Sequence, residues 1–172
     1  AGDAGQLDLT AGHAMGDFAP DGSLEQLRIT ADNAHFTGSS AYDQATEVSF
    51  VNPEVVISGN AAGEQTLSFS GEDGAITLDD TTIDIESVQS VNVVTDSGGA
   101  ISSIDADFPG HLIFDHDAGA IRADVTDLAG NYDKASSHLQ VSFSQADIAL
   151  QSLDMTAAIS GGEIDVTEQR LH

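Results

Sequence analysis

Basic residues are almost missing from this chain. Against 29 Asp and Glu it has only four Lys and Arg, so its formal net charge is −25 over 172 residues. Proteins bind nucleic acids chiefly through Lys and Arg contacts to phosphates, and this composition therefore excludes a nucleic-acid partner. Adhesion to an anionic membrane surface is disfavoured for the same reason.

Three explanations of the acidity remain open. The first is adaptation to high salt, where counterions screen the mutual repulsion of carboxylates and the carboxylates keep the surface hydrated. The second is a calcium-loaded extracellular module, and the third is a cationic partner. The near absence of Lys favours the first, because it changes the whole surface rather than one site.

Cysteine and tryptophan are absent, and aromatic residues make up only 5% of the chain. Disulfides and thiolate chemistry are therefore excluded, and a core has to be built from Val, Ile, Leu, Ala and Phe. No apolar run approaches the roughly 18 residues that a membrane-spanning helix needs. The first residues, AGDAGQLDLTAG, have no basic segment followed by an apolar one, so no signal peptide is predicted. A mature exported protein would begin in the same way.

Apolar and polar residues alternate along most of the chain, as in Leu27-Arg28-Ile29, Leu67-Ser68-Phe69 and Leu139-Gln140-Val141. This two-residue period predicts strands with one buried face. No stretch keeps the period of an amphipathic helix, and only residues 38–47 could hold a short helical turn. Turn signals recur about every 8 to 12 residues. The predicted fold class is all-β: an antiparallel β-jellyroll, a taco-like folded sheet, or a related open β-array of short strands.

The chain also contains an internal repeat. ITADNAHFTG at 29–38 reappears as IRADVTDLAG at 121–130, and each copy continues into Tyr-Asp-x-Ala and then Val-Ser-Phe. Self-similarity of this kind is typical of stacked supersecondary units. Because no linker separates the copies, residues 1–172 are predicted to form a single β domain with repeats at about 29–57 and 121–150.

No pattern of residues indicates catalysis. The chain has no G-x-S-x-G elbow, no phosphate-binding loop and no G-x-G-x-x-G fingerprint. Asp105-x-Asp107-x-x-Gly110 begins like an EF-hand loop, but its twelfth position is His116 instead of the bidentate Glu. We therefore predict a protein that is not an enzyme, with no catalytic residue, no cofactor and no metal site.

Short motifs around the repeat resemble the lipopolysaccharide-transport bridge proteins of the OstA-like superfamily, the LptA/LptC type. The resemblance is carried by 29–34 with Tyr42-Asp43, by 121–124 with Tyr132-Asp133, and by 69–76 followed by 91–95 and Gly98-Gly99. It implies a β-jellyroll folded like a taco, with an apolar lumen for acyl chains and exposed edge strands through which domains stack. It also implies a periplasmic or otherwise exported location.

The first functional hypothesis is therefore a non-enzymatic, periplasmic lipid (lipopolysaccharide)-binding or transport bridge module of a salt-adapted bacterium. Its partners would be acyl chains and an edge-to-edge copy or an Lpt-type protein. The alternative is a structural surface or filament β-module, with calcium as a stabilising cation. Strand parity predicts the side chains that would face a lumen: Leu27, Ile29, Phe50, Phe69, Ile76, Ile83, Val93, Phe114, Ile121, Val141 and Phe143.

Overall fold

The computed structural model describes residues 6–22, 24–39, 45–60, 62–78, 80–116 and 120–167. They form one open antiparallel sheet of 11 strands, which confirms the predicted all-β array. Within these residues the helical structure is a single 3-10 turn, Gln151–Leu153. The strands are β1 Gln6–Thr10, β2 His13–Phe18, β3 Leu24–Thr30, β4 Asn33–Ser39, β5 Ala45–Gly59, β6 Gln65–Leu78, β7 Thr81–Thr95, β8 Ile101–His116, β9 Ile121–Asp133, β10 His138–Leu150 and β11 Met155–Thr167.

The sheet is a meander in which neighbours along the chain are neighbours in space. From β5 to β11 each strand pairs with the next one, while β4 and β3 both pair with β5. β1 lies beside β4 and β2 beside β3. The sheet therefore contains two long strands that are each interrupted once. One consists of β1 and β2, with the interruption near Gly12, and the other consists of β3 and β4, with the interruption near Asp32. Local hairpin connectivity explains this topology, since antiparallel strands need only short turns between them.

One face of the sheet is apolar and the other is polar. Ile83 lies opposite Ile76 on one side and Phe114 on the other. The next residue, Asp84, lies opposite Ala75 and Ile113 on the reverse face. Successive side chains of a strand point to opposite faces, so the alternation in the sequence becomes a sheet with one apolar side. We call this side the apolar face.

A row of backbone irregularities crosses the middle of the sheet, and we call it the bend line. Register shifts interrupt the pairing of β5 with β6, of β6 with β7, and of β8 with β9. Bulges of this kind bend a strand and increase its local twist, so the sheet is divided into two halves that meet at an angle. The residues with left-handed φ on this line are Ala11, Asn52, Asp73, Gly110, Asp127 and Gly161.

Carboxylates satisfy backbone donors that the bend line leaves unpaired. The amide of Gly110 donates to Oδ1 of Asp127 at 3.0 Å, and the amide of His111 donates to Oε2 of Glu86 at 2.9 Å. Ser144 Oγ also donates to Asp127 Oδ2 at 3.0 Å. The bonds from Gly110 and, secondly, from Ser144 lower the pKa of Asp127 below the usual value of an aspartate. Part of the acidity therefore stabilises the bend.

The sheet has very little conventional core. Among the described residues only five apolar side chains are buried, namely Ala31, Pro53, Ile85, Val88 and Ala146, while fourteen large apolar side chains are exposed. A solidly packed domain of this size would bury most of its aliphatic residues. The described part of the chain therefore leaves much of its apolar face uncovered.

The two repeats occupy equivalent hairpins in opposite orientations. The first repeat begins at the end of β3 and continues through β4 and β5, and the second falls on β9 and β10. In the sheet, β9 lies five strands away from β4. Because neighbouring strands are antiparallel, β4 and β9 run in opposite directions, and the turns of the two hairpins therefore lie at opposite rims of the sheet. Tyr42 and Asp43 lie outside the described residues. Asp133 closes its turn by accepting from the Ser136 amide at 2.7 Å, and hydrogen bonds from Ser136 lower the pKa of Asp133.

Close packing at the bend line gives a first prediction, concerning Gly74. A methyl group there would overlap the Phe50 ring, which packs edge-on against Phe69 with centroids 4.8 Å apart. We expect Gly74→Ala to lower the free energy of unfolding by about 1–3 kcal/mol in urea melts. In the matched control Gly130→Ala the new methyl would lie 3.5 Å from the nearest atom, so we expect a change within about 0.5 kcal/mol. Equal effects of the two substitutions would show that the Phe50 contact is unimportant.

Candidate ligand-binding groove

An apolar cavity of about 250 Å³ lies at the β1 end of the sheet. Thr30 is the one residue of its lining with a polar side chain. A concave apolar surface of this kind is the usual form of a site for an apolar ligand. Its lining consists of Leu7, Leu9, Ile29, Thr30, Ala31, Ala34, Phe36, Val48, Phe50, Pro53, Val55 and Phe69.

The lining comes from both sides of the bend line. Leu7 and Phe36 belong to β1 and β4, on one side, whereas Ile29 belongs to β3 on the other. The Phe50 and Phe69 rings come from opposite sides and meet at an interplanar angle of 70°. The two halves of the sheet therefore converge on one groove here, and the edge-on aromatic pair forms part of its wall.

The register places all eleven predicted lumen residues on the apolar face, but it brings only some of them into the cavity. Ile29, Phe50 and Phe69 line it. The other eight lie on the same face outside the cavity, opposite apolar or glycine partners in most pairs: Leu27, Ile76, Ile83, Val93, Phe114, Ile121, Val141 and Phe143. Whether all eleven face a lipid stays a prediction.

Several lining residues were not among the predicted lumen residues. Leu7, Leu9, Val48 and Val55 have the same alternating pattern, so their orientation was readable from the sequence. Ala31 continues the alternation of Leu27 and Ile29, so its orientation was readable too. The orientation of Pro53 was not, because Pro53 stands where β5 shifts in register against β6. The amide of Ala31 donates to the carbonyl of Pro53 at 3.2 Å, which holds these two small residues side by side in the wall.

A second cavity, of about 230 Å³, lies behind the groove on the polar face of the sheet. His13 and Glu54 pair with Thr30 at positions whose side chains point away from Ile29 and Val55, so the sheet itself forms the partition between the two cavities. Thr30, Ala31 and Pro53 border both cavities. The remaining lining is polar apart from one alanine: Ala11, His13, Asp32, Asn52 and Glu54.

Backbone hydrogen bonds keep this partition in place. The amide of Asp32 donates to the carbonyl of Thr10 at 3.0 Å, and the amide of Asn52 donates to the carbonyl of Asp32 at 2.8 Å. Asp32 is also one of the residues that line the polar cavity. At Glu54 the Oε1 atom lies 3.6 Å from Nε of Arg28, a long ion pair between half-exposed side chains.

Histidines on the polar face pair with carboxylates instead of clustering. His35 lies 2.6 Å from Glu47, His111 lies 2.8 Å from Asp124, and His138 lies 2.8 Å from Asp165. The hydrogen bond to Asp124 raises the pKa of His111. Across the described ranges no three His, Asp or Glu side chains come together as a group that could hold a metal ion.

The candidate calcium motif is part of a strand. Asp105 and Asp107 lie within β8, where they pair with Asn92 and Ser90 of β7. They therefore lie on a pleated surface, where side chains two residues apart on one face stand well separated, instead of in a loop that wraps an ion. Within the residues described, no helix is long and apolar enough to cross a membrane.

The chain matches no protein-family model, no curated protein and no solved structure.

Proposed function

We propose that this protein is a non-enzymatic lipid-binding module, a carrier or bridge for acyl chains, that works in the periplasm or another exported location. The observation that carries the proposal is the apolar groove between the two halves of the bent sheet. An acyl chain gains about 0.8 kcal/mol for each methylene group that it buries, so a groove of this chemistry holds such a chain without any catalytic group.

The packing of the sheet supports a carrier over a structural module whose apolar side chains are closely packed. Only five apolar side chains are buried in the described residues, and the apolar face continues beyond the cavity across all later strands. A bridge that passes a lipid along needs such a continuous apolar surface. The resemblance of the repeat motifs to lipopolysaccharide-transport proteins favours the same function and suggests lipopolysaccharide as the lipid.

Photo-crosslinking tests the proposal directly. A photoreactive phenylalanine analogue in place of Phe69, which lines the cavity, is expected to capture a lipid from cell extract or from added acyl chains. The same analogue at the neighbouring Ser68 is expected to capture none, because its side chain lies on the polar face and donates to Asn92 at 2.6 Å. Mass spectrometry of the crosslinked protein identifies the adduct.

A second matched pair extends the test along the sheet. Val141 lies on the apolar face opposite Gly130 and Ile164, whereas Gln140 points to the polar face and donates to Glu163. Capture at Val141 but not at Gln140 would show that the lipid track reaches β10. Capture at both positions of each pair, or at neither, contradicts a carrier.

The alternative is a structural module that assembles through its edges. Both edge strands, β1/β2 and β11, contain no Lys, Arg or Pro, the residues that usually protect an edge from pairing. They also carry eight of the fourteen exposed large apolar side chains. If crosslinking finds no lipid, and sedimentation shows concentration-dependent filaments, this alternative replaces the carrier.

A further inference from the structure

We propose that the second repeat builds a second site for an acyl chain, on the apolar face of β10 and β11. This inference rests on the proposed function for the class of ligand, a hydrocarbon chain. It adds where a second chain binds, so that one molecule holds two chains at separate places.

The hairpin formed by β10 and β11 repeats the hairpin formed by β5 and β6. Apolar residues lie opposite one another across β5 and β6: Val48 with Ile76, Val55 with Phe69, and Ile57 with Leu67. The residues at the matching positions of β10 and β11 are paired in the same order: Val141 with Ile164, Ile148 with Ala157, and Leu150 with Met155. The internal repeat of the sequence therefore recurs in the folded sheet as the same set of cross-strand pairs, and it includes β11.

Both hairpins also pack a phenylalanine ring against a glycine of the next strand. A methyl group at Gly74 would overlap the Phe50 ring, and a methyl group at Gly162 would overlap the Phe143 ring. In each hairpin the residue before that glycine has a left-handed φ and lies on the bend line. The ring position that lines the first groove is therefore present a second time, at Phe143.

The second site is more open than the first. Ala157 occupies the position of Phe69, so the second hairpin lacks the edge-on ring that forms part of the wall of the groove. In the described sheet β11 is also an edge strand. Large apolar side chains of β10 and β11 are exposed here: Leu139, Met155, Ile159, Ile164 and Val166. A hydrocarbon chain lying across them would remove this apolar area from water.

The charges of these strands favour a hydrocarbon chain over a second copy of the protein. In the register the charged residues alternate with the apolar ones and lie on the polar face: Arg122, Asp124, Asp147, Glu163 and Asp165. An uncharged chain on the apolar face therefore contacts none of them. A second copy would bring a further net charge of −25 against the first, and the two copies would repel each other in dilute buffer.

The number of bound chains tests the second site. Equilibrium dialysis against dodecyl maltoside, an uncharged probe with one hydrocarbon chain, measures this number below the micelle concentration. We expect binding to reach a plateau at two probe molecules per protein. Phe69→Asp, which places a carboxylate in the first groove, is expected to lower the plateau to one.

Ile164→Asp addresses the second site alone. The Ile164 side chain is half-exposed on the edge strand, so a carboxylate there stays hydrated and the chain still folds, but the apolar surface is interrupted. We expect a plateau of one, and of none when Ile164→Asp is combined with Phe69→Asp. The matched control Thr156→Asp adds the same charge to the polar face of β11, opposite Ala149, and should keep the plateau at two. Circular dichroism melts show that each variant is folded.

The outcomes distinguish the two proposals. If the parent protein binds no dodecyl maltoside, the proposed function fails. A plateau of one that Phe69→Asp removes leaves the proposed function standing and overturns only the second site. The second site is also overturned if Ile164→Asp keeps a plateau of two, or if binding rises without a plateau because the probe coats the whole apolar face. If Ile164→Asp changes the sedimentation of the probe-free protein but not the plateau, the surface contacts a second copy instead.

Discussion

Replacing Phe69 by Asp is expected to abolish lipid binding in the groove and to lower the free energy of unfolding by about 3 kcal/mol. The Phe69 ring lines the apolar cavity and packs against Phe50 at 4.8 Å. The substitution removes that contact and places a carboxylate among apolar side chains, where the described residues offer no cation to pair with it. Both effects lower stability, and a charged groove also repels an acyl chain.

The matched control is Ser68→Asp, one residue earlier on the same strand. Its side chain projects from the polar face beside Asn92, whose amide can donate to the new carboxylate. We expect it to lower stability by less than about 1 kcal/mol and to leave lipid binding intact. Urea melts and titration with dodecyl maltoside measure both quantities. Equal losses for the two variants would contradict the register, in which residues 68 and 69 lie on opposite faces of β6.

Raising KCl from about 10 mM to about 1 M is expected to increase the melting temperature on the order of 10 °C or more. The Debye length falls from about 30 Å to about 3 Å over this range, so the repulsion within a chain of net charge −25 is almost entirely screened. The structure identifies one source of the repulsion: Asp124 and Asp147 lie directly opposite each other on β9 and β10. Like charges in that arrangement destabilise a sheet.

Thermal melts monitored by circular dichroism measure this shift in melting temperature, and Asp147→Asn serves as the matched variant. In dilute buffer it should melt above the parent protein, and in molar KCl the two should converge. If millimolar calcium stabilises the protein where KCl does not, a specific cation site explains the acidity better than screening. A melting temperature independent of both salts would contradict both explanations.

Much of the secondary structure was predictable because it depends on local properties. Leu67, Phe69, Val91 and Val93 alternate with polar residues, and a strand turns successive side chains to opposite faces whatever lies around it. In the register of the sheet the eleven predicted lumen residues lie on the apolar face, and their contact with a lipid stays a prediction. The absence of amphipathic helices from the described chain also follows from the hydrophobic period, which is a local signal.

Turn-type residues mark the bend line in the sequence, but they did not predict that the sheet continues through it. Ala11 and Asn52, which precede Gly12 and Pro53, adopt left-handed φ values of 51° and 49° within the sheet. Pairing with neighbouring strands imposes these conformations. Likewise, Glu86 and Asp127 had the appearance of ordinary surface carboxylates, and only the fold brings them to the free amides of His111 and Gly110.

The strands, their apolar face and the charge of the surface follow from local sequence, because side-chain parity and composition do not depend on distant contacts. The place where that face becomes a groove depends on the folded sheet. The bend brings Leu7 and Phe36 from one half of the sheet to Ile29 and Phe69 from the other. Such encounters depend on strand order, register and curvature, which arise from interactions between residues far apart in the chain.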